Sequence, residues 1–285
     1  MKGRSKSSHS GSVGGYVALC AAVLVVCLAF MLLVASPLAG HGQTDSAAQP
    51  EVTADAAGGE PDAEQLEAVD ALLDAQHARQ DIGEEDVPAA FAAEREANSD
   101  VCAWLCVPGT NVSLPIARRA GDNEHYTVHN SLGQVSGFGS CFMDGANSPG
   151  FGDPVTVLYG HSFSDDDLML TQLHRFEDRE FFEAHDEFRI YLPDRVLTYR
   201  IVSARRCSSD RITDMVDFSD RNSVQSYLDF AVSLKTSDGF QRETGDLDAG
   251  SDRIVQLSTC TLPEANESAR FLVTGVLVGE QYVAA

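Results

Sequence analysis

Positive charge is scarce in this chain. Its 285 residues carry 20 Lys and Arg against 43 Asp and Glu, a net charge of −23. A nucleic-acid-binding domain needs a basic face, and this balance excludes one. No Walker loop, no G-x-G-x-x-G, no C-x-x-C pair and no internal repeat occurs, so the phosphate-cradling loops and paired redox thiols that such motifs announce are missing. The metal-binding motif H-E-x-x-H is also missing, and no metal site is read. Charge itself disappears between Val13 and Gly40, and no Lys or Arg falls between Lys6 and Arg79.

Those last two gaps define the N-terminus. Tyr16 to Ala35 is almost wholly apolar, and twenty such residues match the ~20 needed to cross the hydrocarbon core as a helix. Lys2, Arg4 and Lys6 precede the run, so the positive-inside rule places residues 1–14 in the cytoplasm. Residues 15–39 are then a transmembrane anchor, and everything beyond is extracellular. A cleaved signal peptide is the rival reading, given the small residues around Ala35-Ser36-Pro37-Leu38-Ala39, but the apolar run exceeds the usual h-region of about 7–15 residues. Residues 40–61, rich in Ala, Gly, Gln and acids, read as an acidic flexible tether. Residues 51–100 hold 15 acidic residues and two Arg, so much of the net charge belongs to a solvated spacer.

From Pro61 to about Gln80 the pattern is helical, with Leu66, Val69, Leu72 and Leu73 on one face, until Gly83 breaks it. A second helix follows Pro88 through Phe91 to about Asn98. The two amphipathic elements, within residues 62–98, are expected to pack on the domain that follows. After Asp100 the texture becomes short apolar runs separated by Gly, Pro, Asn and Asp: Cys102–Val107, Val112–Ile116, Gly139–Met143, Val155–Tyr159, Phe188–Leu192, Val196–Ala204, Arg253–Thr259 and Phe271–Val278. Eight such strands predict a mostly β fold, a barrel or a sandwich, over residues 99–285. Helical insertions are predicted at about Asp166–His185, in one or two pieces, and about Asp220–Lys235.

Seven cysteines are an odd set for an exported chain. Cys20 and Cys27 fall in the apolar run, and Cys102, Cys106, Cys141, Cys207 and Cys260 fall outside it, so at least one outer thiol is free or intermolecular. Cys260 stands apart because it ends the run R-I-V-Q-L-S-T-C. A thiol at a strand exit is partly exposed, as a reactive thiol must be. If Arg253–Thr259 and Phe271–Val278 are antiparallel neighbours, Arg270 starts the second strand beside Cys260 and can supply donors to an oxyanion. His161 ends P-V-T-V-L-Y-G-H and is likewise presented at a strand exit. His174 and His185 lie in polar helical stretches and read as surface imidazoles, while His125 and His129 lie in a turn-like segment.

L-S-T-C at Leu257–Cys260, Arg270 ten residues later and V-L-Y-G-H-S at Val157–Ser162 resemble the signature of the sortases. W-L-C-V-P-G-T-N-V-S-L-P-I (Trp104–Ile116), G-D-N-E-H-Y (Gly121–Tyr126) and G-S-C-F-M-D (Gly139–Asp144) resemble class B in the same order, and the likeness covers roughly residues 62–280. The resemblance implies a closed eight-stranded sortase-type β-barrel with helical insertions. It also implies a cysteine transpeptidase without metal or organic cofactor. Cys260 would be the nucleophile, His161 the general acid and Arg270 the oxyanion donor, with Ser258 and Thr259 lining a groove for the substrate. The implied partners are secreted proteins bearing a C-terminal sorting signal, an amine acceptor on a cell-wall precursor or a pilin, and membrane lipid around the N-terminal helix. A thiol peptidase hydrolysing the same signals, or an inactive extracytoplasmic binding module, are the competing readings. Gln256 stands where the family often has Thr, and Cys141 and Cys106 interrupt two motifs. These departures bear on signal preference and redox behaviour.

Overall fold

The computed structural model describes residues 71, 73–74, 76–164, 166–233, 239–262 and 269–283, nearly all within the unit Ala75–Ala285. The expected anchor, the tether and most of the first amphipathic helix lie outside the described residues. Among the described residues, no helix is long and apolar enough to cross a membrane.

Nine strands follow in chain order among the described residues: β1 (Val101–Cys106), β2 (Ser113–Ala117), β3 (Cys141–Met143), β4 (Val155–Tyr159), β5 (Glu187–Tyr191), β6 (Arg195–Ser208), β7 (Gly239–Gln241), β8 (Ile254–Cys260) and β9 (Ala269–Tyr282). Their order in the sheet is β5-β1-β2-β3-β4-β8-β9-β6-β7, and β5 also pairs with β6. That extra pairing closes eight strands into a barrel, which removes the open edges an isolated sheet would leave. β7 was not anticipated. It is three residues long and lies beside Ser203–Arg205 of β6, on the edge that β5 has vacated after Arg200.

Three α-helices are complete among the described residues: α1 (Val87–Ala97), α2 (Arg179–Ala184) and α3 (Arg221–Ala231). In α1, Pro88 sits in the first turn, where its missing N–H costs nothing, and Val87 and Phe91 fall four residues apart on one face. They bury against Val101, Trp104 and Cys106 of β1. Before α1, residues 76–80 are helical, and Gln80 is buried with its amide paired to Met169 on both sides: Oε1 accepts from the Met169 N–H at 2.8 Å and Nε2 donates to its carbonyl at 3.3 Å. Met169 has φ +56°, and these bonds hold it in that left-handed turn. The segment predicted helical at Asp166–His185 is less regular than expected, a 3-10 helix over Thr171–Glu177 followed by α2.

α3 starts on Asp220, whose carboxylate accepts from the Asn222 N–H, and it buries Val224, Tyr227, Leu228 and Ala231. This face packs on Val155, Val157, Val202, Ile254, Leu272 and Val276, drawn from β4, β6, β8 and β9. Gln256, the departure noted in the sequence, lies fully buried beneath it. Tyr227 donates to its Oε1 at 2.8 Å and its Nε2 donates to Thr274 Oγ1 at 3.2 Å, so both ends of the amide are satisfied. The residue therefore couples α3 to two central strands.

Candidate active site

The sheet register aligns two of the three residues singled out by the sequence. β8 and β9 are antiparallel neighbours with Cys260 opposite Arg270, and β9 and β6 place Cys207 opposite the same Arg270. Directly opposed residues share a face, so Cys260, Arg270 and Cys207 form one row at one end of the barrel. On the same side of the sheet the other end is covered by α3, which leaves this row open. β4 runs parallel to β8 as far as Tyr159 opposite Ser258, and His161 follows two residues on.

The result is a cleft of about 300 Å³, lined by Cys260, His161 and Arg270 together with Ser258, Thr259, Tyr159, Arg211 and Thr127. It adjoins a second hollow of about 200 Å³ that shares Cys207 and Leu272 and runs out toward the exposed Met215 and Phe230. Ser258 and Thr259 line the cleft but are themselves buried, and Thr259 Oγ1 donates to the Gly160 carbonyl at 2.7 Å.

His161 is held by its backbone surroundings. Its Nε2 lies 2.8 Å from the Thr127 carbonyl, which can only accept, so Nε2 carries the hydrogen and Nδ1 is the atom that can exchange a proton. Gly139 makes the close approach possible: its φ is +61°, and a Cβ there would come within 2.7 Å of the Thr127 carbonyl and 3.0 Å of the His161 ring. The glycine of G-S-C-F-M-D is thus a packing requirement of the imidazole.

Asp144, the last residue of that motif, is fully buried. It accepts from Arg211 Nε and Nη2 at 3.0 and 2.7 Å, from Thr213 at 2.9 Å, from Tyr159 at 3.1 Å, from Asn123 at 3.1 Å and from the Ala146 N–H at 2.9 Å. Burial alone would raise its pKa, but the Arg211 hydrogen bond, the Ala146 amide and Thr213 outweigh that and hold the carboxyl below its usual range. Tyr159, Arg211 and Asn123 all reach the cleft, so one buried carboxylate organises a wall of it.

The other four cysteines among the described residues are free thiols, and burial pushes each of them up, Cys102 and Cys106 to about 12. Those are conditions for an inert thiol. Cys260, at the strand end, is half-buried and opens on the cleft.

His174 corrects the sequence reading. Expected as a surface imidazole, its side chain is only 13% exposed, stacks on Phe271 with centroids 4.8 Å apart, and donates from Nε2 to the Cys260 carbonyl at 2.9 Å. The short 3-10 helix turns it inward, and its partner lies 86 residues away, beyond the reach of any local pattern. Ser162 Oγ donates to the same carbonyl at 3.0 Å. Among the described residues, no group of three or more His, Cys, Asp or Glu is placed to hold a metal ion.

Comparison with known proteins agrees with this geometry. The sortase domain family matches residues 105–278. Sortase B of Listeria monocytogenes is 27% identical over 191 residues, covering 65% of this chain and 72% of that protein. The crystal structure of Clostridium perfringens sortase B superposes with a TM-score of 0.57 at 27% identity, over 66% of this chain and 99% of that one. A Streptococcus pyogenes class B sortase involved in pilus biogenesis gives 0.52 at 26% identity, over 66% and 97%. The matched span runs from the end of β1 into β9 and holds every residue of the row built above, and the chain accordingly belongs to the sortase family of cysteine transpeptidases, within class B.

Proposed function

We propose that the chain is a membrane-anchored transpeptidase that cleaves the C-terminal sorting signal of secreted proteins and joins the new carboxyl end to an amine. The observation that carries this reading is the strand pairing of Cys260 with Arg270 in a cleft that His161 also lines. The Cys260 thiolate attacks the scissile carbonyl and forms a carbon–sulfur bond. Negative charge then develops on the carbonyl oxygen, and Arg270 supplies donors to it; a guanidinium is always charged and presents a rigid fork. Collapse breaks the carbon–nitrogen bond, and the leaving amine takes a proton from His161 Nδ1. An acceptor amine attacks the thioester, returns its proton to His161 and expels the thiolate.

Ser258 and Thr259 border the path of the signal beside Cys260. The acceptor is an amine of a cell-wall precursor or of a pilin lysine. The apolar run at residues 15–39 holds the enzyme in the cell membrane, with the N-terminus cytoplasmic and the barrel extracellular, where both partners are met.

The test is incubation of the enzyme with candidate signal peptides, with and without an amine acceptor. The reading requires cleavage at one bond, a ligated product when the amine is present, and loss of both in Cys260→Ala. Cleavage that never yields ligated product would make the enzyme a hydrolase, and binding without cleavage would make it a recognition module.

A further inference from the structure

β8 lies between β4 and β9, and its carbonyls alternate between these neighbours. The Ser258 carbonyl faces β4 and accepts from the Gly160 N–H at 3.2 Å. Two residues further, the Cys260 carbonyl points the same way, but β4 has ended, and the chain turns off at His161, whose own carbonyl accepts from the Leu170 N–H at 2.9 Å. The donor that a continuing strand would supply is replaced by two side chains, Ser162 Oγ and His174 Nε2. The backbone of the last residue in β8 is thereby kept in register after its neighbour has gone.

His174 is itself braced. Its Nδ1 is 2.9 Å from Glu177 Oε1, and its ring is stacked on the buried Phe271. Arg206 Nη2 grips Glu177 at 3.1 and 3.0 Å and also donates to the Leu262 carbonyl at 3.0 Å. Both ring partners of His174 are acceptors, so the complete set of bonds needs hydrogen on both nitrogens. One connected group therefore holds the chain at Cys260 and again at Leu262, on either side of the exit from the strand. A half-exposed Arg–Glu pair contributes little stability on its own. Its place in this chain of bonds gives it a positional role.

We propose that His174, braced by Glu177 and Arg206, is a positioning residue for the Cys260 nucleophile, standing in for the backbone donor that β4 no longer provides. The inference rests on Cys260 being the nucleophile. A displaced reacting atom costs rate much more than binding. With Ser162 still in place, loss of the His174 bond should lower kcat about 10-fold and leave KM within roughly twofold, because groove contacts are untouched.

The experiment compares wild type with His174→Phe, which keeps an aromatic ring over Phe271, and His174→Gln, whose amide can again donate to the Cys260 carbonyl. Three quantities are read: kcat and KM on whichever sorting-signal peptide the wild type cleaves, the carbonyl carbon resonance of Cys260 in protein labelled at cysteine carbonyls, and the melting temperature. The proposal expects His174→Phe to shift the Cys260 resonance and lower kcat with KM held, and His174→Gln to restore most of both. Unchanged kcat in His174→Phe would overturn it. Equal losses in both variants, tracking a fall in melting temperature, would overturn it too, by making His174 a structural residue. Wild-type enzyme that cleaves peptide without acylating Cys260 would remove the nucleophile assignment itself, an outcome read separately from the variants.

Discussion

Replacing Asp144 with Asn removes one negative charge from the floor of the cleft wall and changes almost no volume. The carboxylate accepts six hydrogen bonds, two of them from Arg211. An asparagine offers one acceptor oxygen and turns an NH2 group toward donors. Hydrogen bonds to a charged group are worth about 1.5–3 kcal/mol each, and breaking a buried pair costs about 3–5 kcal/mol. The Arg211 side chain is 41% exposed and regains water when released, so the lower end applies, about 3 kcal/mol. In a domain of this size that corresponds to a fall in Tm of roughly 6–12 °C. The pH dependence carries a sign as well. The folded-state pKa of Asp144 lies below its ordinary value, so its stabilisation is complete above the unfolded value of about 3.9 and is lost as pH falls through the lower folded value. Asn cannot titrate, and the gap between the two proteins should narrow in strong acid. Thermal unfolding followed by circular dichroism at neutral and acidic pH measures both effects. A neutral-pH Tm within about 2 °C of wild type, less than 1 kcal/mol on this scale, would refute the reasoning, as would a gap that stays constant into acid.

Three further outcomes are expected. Arg270→Lys should lose about 10²–10³-fold in kcat, the cost of a lost oxyanion donor, because an ammonium keeps the charge but not the planar fork; near-normal turnover would reduce Arg270 to bulk charge. A chain beginning near residue 61 should be folded and active, whereas one beginning near residue 100 loses Val87 and Phe91, each worth about 1.5–3 kcal/mol of burial, and uncovers Trp104; equal melting temperatures would exclude this. Iodoacetamide at pH 8 should label Cys260 well before Cys102 and Cys106, whose thiols burial pushes up to about 12, and peptide mapping that finds either of those modified at a comparable rate would contradict the contrast.

Much of the barrel is visible in the order of residues because most strands are short, near-continuous apolar runs bounded by turn formers. Where the reading falls short, the cause is non-local. β6 continues through Arg205 and Arg206 to Ser208, and β9 through Gly279 and Glu280 to Tyr282, where counting apolar residues would stop. These two strands pair along almost their whole length, and the ladder carries the polar residues with it. β7 holds one large apolar residue, Phe240, and is a strand only because β6 has a free edge there. At the site, Cys260, His161 and Arg270 were legible because each marks the end of a predicted strand. Asp144 with Arg211, and His174 with the Cys260 carbonyl, were not, since the partners lie 67 and 86 residues apart and meet only when the barrel closes. The spacing of His174 and Glu177, three residues apart in a short helix, is the sole local hint of that brace.

The central claim is that Cys260 forms the covalent intermediate. Intact-mass and peptide-mapping mass spectrometry of enzyme quenched during turnover of a cleaved signal peptide tests it most directly. The account predicts an added acyl mass on the peptide containing Cys260, lost in Cys260→Ala and discharged by an added amine. An adduct on Cys207 or any other residue, or turnover undiminished in Cys260→Ala, would contradict it.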